Sequence, residues 1–414
     1  MKVVFHRLML SVVVIGLSLS SVASTSARAA TNKADEVKAA YIMDAKTGQA
    51  VYAQDADKEL PIASLSKLMT LYLVETAIKQ HQIKWDDVVP INKEVRKMAA
   101  SSTLSTMPMA ASDQFTVREL FAATLVGSSN SSAIALGEYV AGSNPKFIKM
   151  MNAQADKWGL AAHFVSASGL DNSDLTKYNL DIAGTSAKAQ NLVSARAITT
   201  VAAHLVNEYP DIVKVSNQKS VKIHKYTVPT SVLILKGEKY YDSRVPVDGL
   251  KTGYTDQAGD CLVATFKQNG RRMIATTLGG TWKFTANNDL RLMVKDEEVY
   301  HQVMPSTINY QIPGTQTHVK LVAKQSTTMW ENKAHPMQQV KTTVWPLHQN
   351  RPNYLAAKTT VLQVKLTDPQ SGAVKTIDYQ TPHAMTLLGP IAWATTNHVS
   401  VQNQALDKAF ALVD

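Results

Sequence analysis

The 414 residues exceed what one ordinary hydrophobic core holds, so two domains are expected after processing. A hydrophobic content of 45% excludes a globally disordered chain. The formal charge of +10 drops to about +7 once Lys2, Arg7 and Arg28 are set aside with a leader; on an exported chain that surplus suits an anionic wall or membrane, not nucleic acid.

The leader is read at 1–29. Lys2, His6 and Arg7 make a basic start, residues 8–19 (LMLSVVVIGLSL) are apolar, and Ala27-Arg28-Ala29 offers the small-x-small pattern of a signal peptidase site. Twelve helical residues rise about 18 Å, short of a bilayer core of about 30 Å, so the segment is a signal peptide and not a span. Export is the expectation, to the outer face of the cytoplasmic membrane, the cell wall or the medium. Residues 39–44 then read as a strand, Lys46-Thr47-Gly48 as a turn and 50–53 as the returning strand. From 64 to 79 the chain is apolar on most helical sides, the mark of a buried central helix. Residues 97–112 read as a surface loop, 117–125 and 131–139 as helices, 171–190 as irregular, and 194–205 as a helix. Strands are expected at 226–235, 262–266 and 272–277, and a helix at 287–301.

Composition shifts near Pro305, giving a first domain over 30–304 and, over 305–390, the alternation of a small β-sandwich accessory domain. The tail at 391–414 puts Leu406, Ala409, Phe410 and Val413 on one helical face; its polar face (Gln402, Asn403, Asp407, Lys408) is not cationic, so peripheral membrane contact and docking on the sandwich are both open. Cys261 sits in an apolar run and reads as core filler. No His or Cys cluster has metal-ligand spacing, and neither metal nor cofactor is expected.

Three short motifs carry the chemistry. Ser-x-x-Lys occurs at Ser64/Lys67, Ser143/Lys146 and Ser216/Lys219; Ser-x-Asn at Ser128-Ser129-Asn130; Lys-Thr-Gly at 46–48 and 251–253. A Ser activated by Lys needs both side chains on one face, which i, i+3 on a helix provides. Only Ser64 opens a long helical run. Pro145 argues against Ser143, and Ser216 lies in a polar stretch. The first Lys-Thr-Gly precedes every other motif, so the second is chosen. Ser64, Lys67, then Ser128 and Asn130, then Lys251 and Thr252 follow the order used by penicillin-recognising serine enzymes. Taken alone, Ser64/Lys67 would be a helix cap with an exposed Lys.

Longer strings extend the match: Pro61 to Lys67 (PIASLSK), Ser168-Gly169-Leu170-Asp171, and Val247 to Thr255 (VDGLKTGYT). Over residues 36–300 the chain resembles the D-alanyl-D-alanine carboxypeptidases among the low-molecular-mass penicillin-binding proteins. The resemblance implies an α/β (α+β) serine β-lactamase/transpeptidase-like catalytic domain with a C-terminal β-domain. It implies removal of the terminal D-alanine from peptidoglycan stem peptides through an acyl-enzyme on Ser64, with β-lactams as covalent inhibitors. Lys67 would be the base, its pKa lowered by burial and by Lys251, and Ser128 a proton relay to the leaving amine. Asn130 would bind substrate amide or hold Lys67, and Lys251 and Thr252 would take the substrate carboxylate. Gly253 completes that motif, and the backbone N–H groups of Ser64 and Tyr254 would form the oxyanion hole.

Tyr254 stands where the family often has His, so no side-chain role carries over. His163 and Arg196 lie in family-like strings and read as structural, a hydrogen-bonded His and a bridging Arg. Two other readings stand beside this one. A class A-type β-lactamase needs a Glu-x-x-Leu-Asn string, and none lies between Asn130 and Lys251. A wall-binding protein with an idle site would not need all five polar groups.

Overall fold

The computed structural model describes residues 37–311, 318–344, 354–369 and 372–386. The leader and the tail lie outside them. A five-stranded antiparallel sheet runs in the order Val247–Thr255, Gly259–Gln268, Arg271–Gly280, Ala39–Asp44, Ala50–Gln54. The first hairpin turns through Lys46-Thr47-Gly48, where the Asp44 carboxylate accepts the Lys46 and Thr47 amides at 3.0 Å each. The early Lys-Thr-Gly is therefore an exposed turn, as expected of a decoy.

Nine helices follow in chain order among the described residues: α1 (Lys67–Lys79), α2 (Lys93–Ala99), α3 (Val117–Val126), α4 (Asn130–Ala141), α5 (Asn144–Lys157), α6 (Asn172–Leu175), α7 (Ala195–Glu208), α8 (Ile212–Ser216) and α9 (Lys283–Glu297). Strand alternation sorts the sheet's side chains. Tyr41, Met43, Val263 and Ile274 face one core with α1 and α7; Ala40, Ile42, Leu262 and Ala264 face a second with Leu290 and Val294 of α9. α1 is the buried central helix, with Leu68, Met69, Leu71 and Val74 fully covered. α3 begins with a capping box between Thr116 and Glu119, and the Ser194 hydroxyl caps α7.

Several expectations needed correction. Pro145 does not break a helix; it occupies the first turn of α5, where a missing N–H costs nothing. The 97–112 segment is not simply surface: Met107 and Met109 are buried, and the Ser105 carbonyl accepts the Asn130 amide at 2.8 Å. Only Tyr226–Pro229 of the 226–235 strand is a strand, paired with Ser220–Ile223. The final helix ends at Glu297, because Glu298–Gln302 pairs with Thr328–Asn332, a distant partner that local periodicity does not encode.

The C-terminal region is sheet-rich. Its main sheet has the order Thr307–Gln311, His318–Ala323, Val374–Gln380, Thr360–Thr367, Gln338–Thr343, around a core that includes Leu321, Val364, Ile377 and Tyr379. Trp330 belongs instead to the core against α9, and its indole N–H donates to Asp44 at 2.9 Å. Trp330 thus adds to the pairing of Glu298–Gln302 with Thr328–Asn332 in tying the C-terminal region to the sheet.

Candidate active site

The Pro61-to-Lys67 string leaves the Glu59–Pro61 strand, passes Ile62 and enters a 3-10 turn, Ala63–Ser66, which runs into α1. Ser64 therefore sits in a 3-10 turn rather than on the first α-helical residue, and the i, i+3 geometry survives. Ala63 adopts φ 48°, an uncommon conformation for a residue with a Cβ. Lys67, fully buried, points its Nζ at the Ser64 Oγ, 2.8 Å away. The same Nζ lies 2.7 Å from Asn130 Oδ1 and 2.6 Å from the Ser168 carbonyl.

The three distances fit Lys67 in either protonation state. A charged ammonium would donate to all three oxygens. A neutral amine has two N–H groups and one lone pair. In the neutral state Asn130 Oδ1 and the Ser168 carbonyl, which can only accept, take both N–H groups and leave the lone pair for the Ser64 hydroxyl. Burial first, and the positive charge of Lys251 second, hold Lys67 well below the usual lysine range.

Lys251 is also fully buried, with its Nζ 3.0 Å from the Thr252 carbonyl. Burial and the charge of Lys283 push it down to about 7. Its strand, Val247–Thr255, is an edge strand of the sheet, the position at which an extended ligand can add as a further strand. Gly253 explains the motif's third letter: a Cβ there would lie 2.7 Å from the Ile62 carbonyl and 3.3 Å from the Leu65 amide nitrogen. Only glycine lets the strand lie against the nucleophile turn. Thr252 is nearly buried, whereas the Tyr254 side chain is 60% exposed and donates to Asp256 Oδ1 at 3.2 Å. Ser128, almost covered at φ 59°, precedes α4, whose first residue is Asn130.

Ser64, Lys67, Asn130 and the Ser168 carbonyl are thus joined by hydrogen bonds, with Gly253 packed against the Ser64 turn and the Lys251 charge acting on Lys67, while Ser128 stands two residues before Asn130. A family model described as D-alanyl-D-alanine carboxypeptidase matches residues 25–281. The chain belongs to that family. It is 25% identical to D-alanyl-D-alanine carboxypeptidase DacF of Bacillus subtilis over 82% of this chain and 84% of that one. A Streptococcus pneumoniae structure, the peptidoglycan synthesis regulatory factor PBP3, overlays with a TM-score of 0.65 at 28% identity, covering 84% of this chain and 99% of that one. Penicillin-binding protein D2 of Listeria monocytogenes, solved with cefotaxime bound, overlays at 0.52 with 28% identity, covering 63% and 98%.

Within this carboxypeptidase-family chain the rejected decoys lie elsewhere. Lys146 is exposed, and Ser216 is buried and donates to the Asp248 carbonyl. His163 is exposed, so the structural role read for it as a hydrogen-bonded His is corrected. Arg196 does bridge, with two bonds to Asp57 at 2.6 and 2.9 Å and one to the Tyr41 hydroxyl at 2.9 Å. Cys261 is buried core, its thiol pushed up to about 11 by burial.

Sequence reasoning missed the Ser168 carbonyl, because a backbone oxygen leaves no residue signature. The Ser-Gly-Leu-Asp string was the available signal, and Gly169 gives it a reason. At φ +80°, a Cβ on Gly169 would lie 2.0 Å from the Ala63 carbonyl oxygen. Gly169→Ala is expected to slow penicillin acylation about 100-fold by displacing the nucleophile turn. The labelling rate with a fluorescent penicillin, read beside the melting temperature, checks this.

Proposed function

We propose that this chain is a serine D-alanyl-D-alanine carboxypeptidase that removes the terminal D-alanine from peptidoglycan stem pentapeptides and is inhibited by β-lactams. The observation that carries the reading is the fully buried Lys67 Nζ, 2.8 Å from Ser64 Oγ and within hydrogen-bond distance of Asn130 Oδ1 and the Ser168 carbonyl. The Ser64 Oγ attacks the carbonyl between the two D-alanines as its proton passes to Lys67. The backbone N–H groups of Ser64 and Tyr254 receive the developing oxyanion. Ser128 relays a proton to the amine of the departing D-alanine, and water then hydrolyses the Ser64 ester. Asn130 holds Lys67, while Lys251 and Thr252 grip the substrate's terminal carboxylate, which selects a carboxypeptidase cut. Gly253 lets that strand approach the nucleophile.

The same reading places the enzyme outside the cytoplasmic membrane, exported by the 1–29 leader, with residues 30–304 as the catalytic domain and 305–390 as an accessory β-sandwich. Peripheral membrane contact would fall to the 391–414 tail; among the described residues no helix is long and apolar enough to cross a membrane.

Turnover decides between this reading and a β-lactamase. The protein is expected to release D-alanine from diacetyl-L-Lys-D-Ala-D-Ala and to hold benzylpenicillin as a slowly hydrolysed adduct. Fast benzylpenicillin hydrolysis without D-alanine release would reverse the assignment.

A further inference from the structure

Asn191 belongs to none of the three motifs, yet every hydrogen-bonding valence of its buried side chain is used. Its Nδ2 donates to Ser66 Oγ at 2.7 Å and to the Ser166 carbonyl at 2.8 Å. Its Oδ1 accepts the Val165 amide at 2.7 Å and the Ser166 amide at 3.0 Å. Asn191, Ser66 and Ser166 are all buried, so each lost bond leaves a polar group away from water.

The topology says what this side chain joins. Asn191 immediately precedes the strand Leu192–Ser194, the central strand of a three-stranded sheet. Leu192 pairs with Pro61 on one side and His163 on the other. From Pro61 the chain runs into the nucleophile turn, and from His163 into the loop that ends at Ser168 and Gly169. Both catalytic segments leave the sheet at one register point, beside Asn191.

The side chain's bonds continue into each segment. Ser66 Oγ, held by Asn191, donates to the Ala63 carbonyl at 2.7 Å and closes the turn that carries Ser64. Ser166, whose backbone Asn191 holds through both N–H and C=O, uses its hydroxyl to accept the Ser168 and Gly169 amides at 3.2 and 3.1 Å. That anchors the peptide whose carbonyl accepts from Lys67. Thr70 on α1 adds a second tie, donating to the Ala167 carbonyl at 2.7 Å.

We propose that Asn191 is a positioning residue for the acylation step: it sets the spacing between the Ser64 turn and the Ser168 carbonyl that aligns the Lys67 lone pair. It touches neither substrate nor reacting atoms and acts through Ser66 and Ser166. The proposal rests on the reading of Ser64 as nucleophile and Lys67 as base.

The test separates acylation rate from binding. Wild type, Asn191→Ala, Ser66→Ala and the double variant are mixed with a fluorescent penicillin in stopped flow, giving the non-covalent Kd and the acylation rate constant. Each single variant is expected to lose about 10- to 100-fold in acylation rate with Kd within about threefold, since misplacement of reacting groups costs rate and not affinity. The double variant is expected to lose less than the product of the two singles, because both substitutions cut the same Asn191–Ser66 bond. Ser66→Ala also removes the Ser66 bond to Ala63, so Asn191→Asp, which keeps an acceptor for the Val165 and Ser166 amides and loses the donor to Ser66 Oγ, answers the question if Asn191→Ala does not fold. An acylation rate within twofold of wild type in a folded single variant, or losses that multiply in the double, overturns the positioning role. A wild-type protein that takes no label on Ser64 overturns the underlying reading instead.

Discussion

Ser64→Ala is expected to abolish both D-alanine release and covalent penicillin labelling, with kcat/KM falling by about 10⁴- to 10⁶-fold, the range in which loss of a serine nucleophile costs nearly all the chemistry. The structure makes the substitution conservative in every other respect. Ser64 lies in a 3-10 turn held by the Ser66 bond to Ala63 and by the contact of Gly253 against Ile62 and Leu65. None of these uses the Ser64 hydroxyl. Among the described residues the only bond lost is that to Lys67, so the variant should fold and still bind drug reversibly. Intact mass after penicillin exposure, followed by peptide mapping, reads the outcome. Labelling that persists on another residue would remove Ser64 from its role.

Lys67→Arg carries the second large effect. Arginine carries a permanent positive charge and cannot be deprotonated in proteins, so it cannot serve as the base. Loss of a positioned general base costs about 10²- to 10⁴-fold, and kcat/KM for the peptide is expected to fall by about 10³-fold. The pH profile of the wild type follows from the two buried lysines. Lys67 works when neutral, so activity should rise with pH through its lowered pKa. Lys251 works when charged, and with its pKa pushed down to about 7 its cation fades as pH climbs past that value. The alkaline limb of kcat/KM, which reports the free enzyme, should therefore lie near neutrality. A bound carboxylate beside Lys251 favours its charged form, so the alkaline limb of kcat should sit at higher pH. Steady-state kinetics across pH 5 to about 10, compared between wild type and Lys251→Arg, check this: the arginine cannot discharge, and its alkaline limb should disappear.

Much of the architecture was legible because local patterns carry it. Ala39–Asp44 was expected to be a strand and is one over the same residues. The helix expected at 194–205 spans Ala195–Glu208, where an N-terminal Ser and a 3.6-residue period mark it. Boundaries failed where a distant partner decided them. The helix expected to run to His301 stops four residues earlier because Glu298 to Gln302 are claimed by a strand from the C-terminal region. Met107 and Met109 are buried in what composition marks as a loop, because small polar neighbours conceal which two side chains turn inward.

By itself the sequence determined which serine, which lysine and which Lys-Thr-Gly belong together. Helical spacing, motif order and the surroundings of each decoy are properties of neighbouring residues, and a string of letters preserves them. Only the tertiary structure decided that Lys67 faces two acceptors and one hydroxyl, that a backbone carbonyl at Ser168 is one of them, that Gly169 and Gly253 permit the close approach, and that Asn191 ties the segments together. These depend on distances between segments that lie far apart along the chain. Those distances are set by how helices and strands pack, and so is the burial that lowers both lysine pKa values.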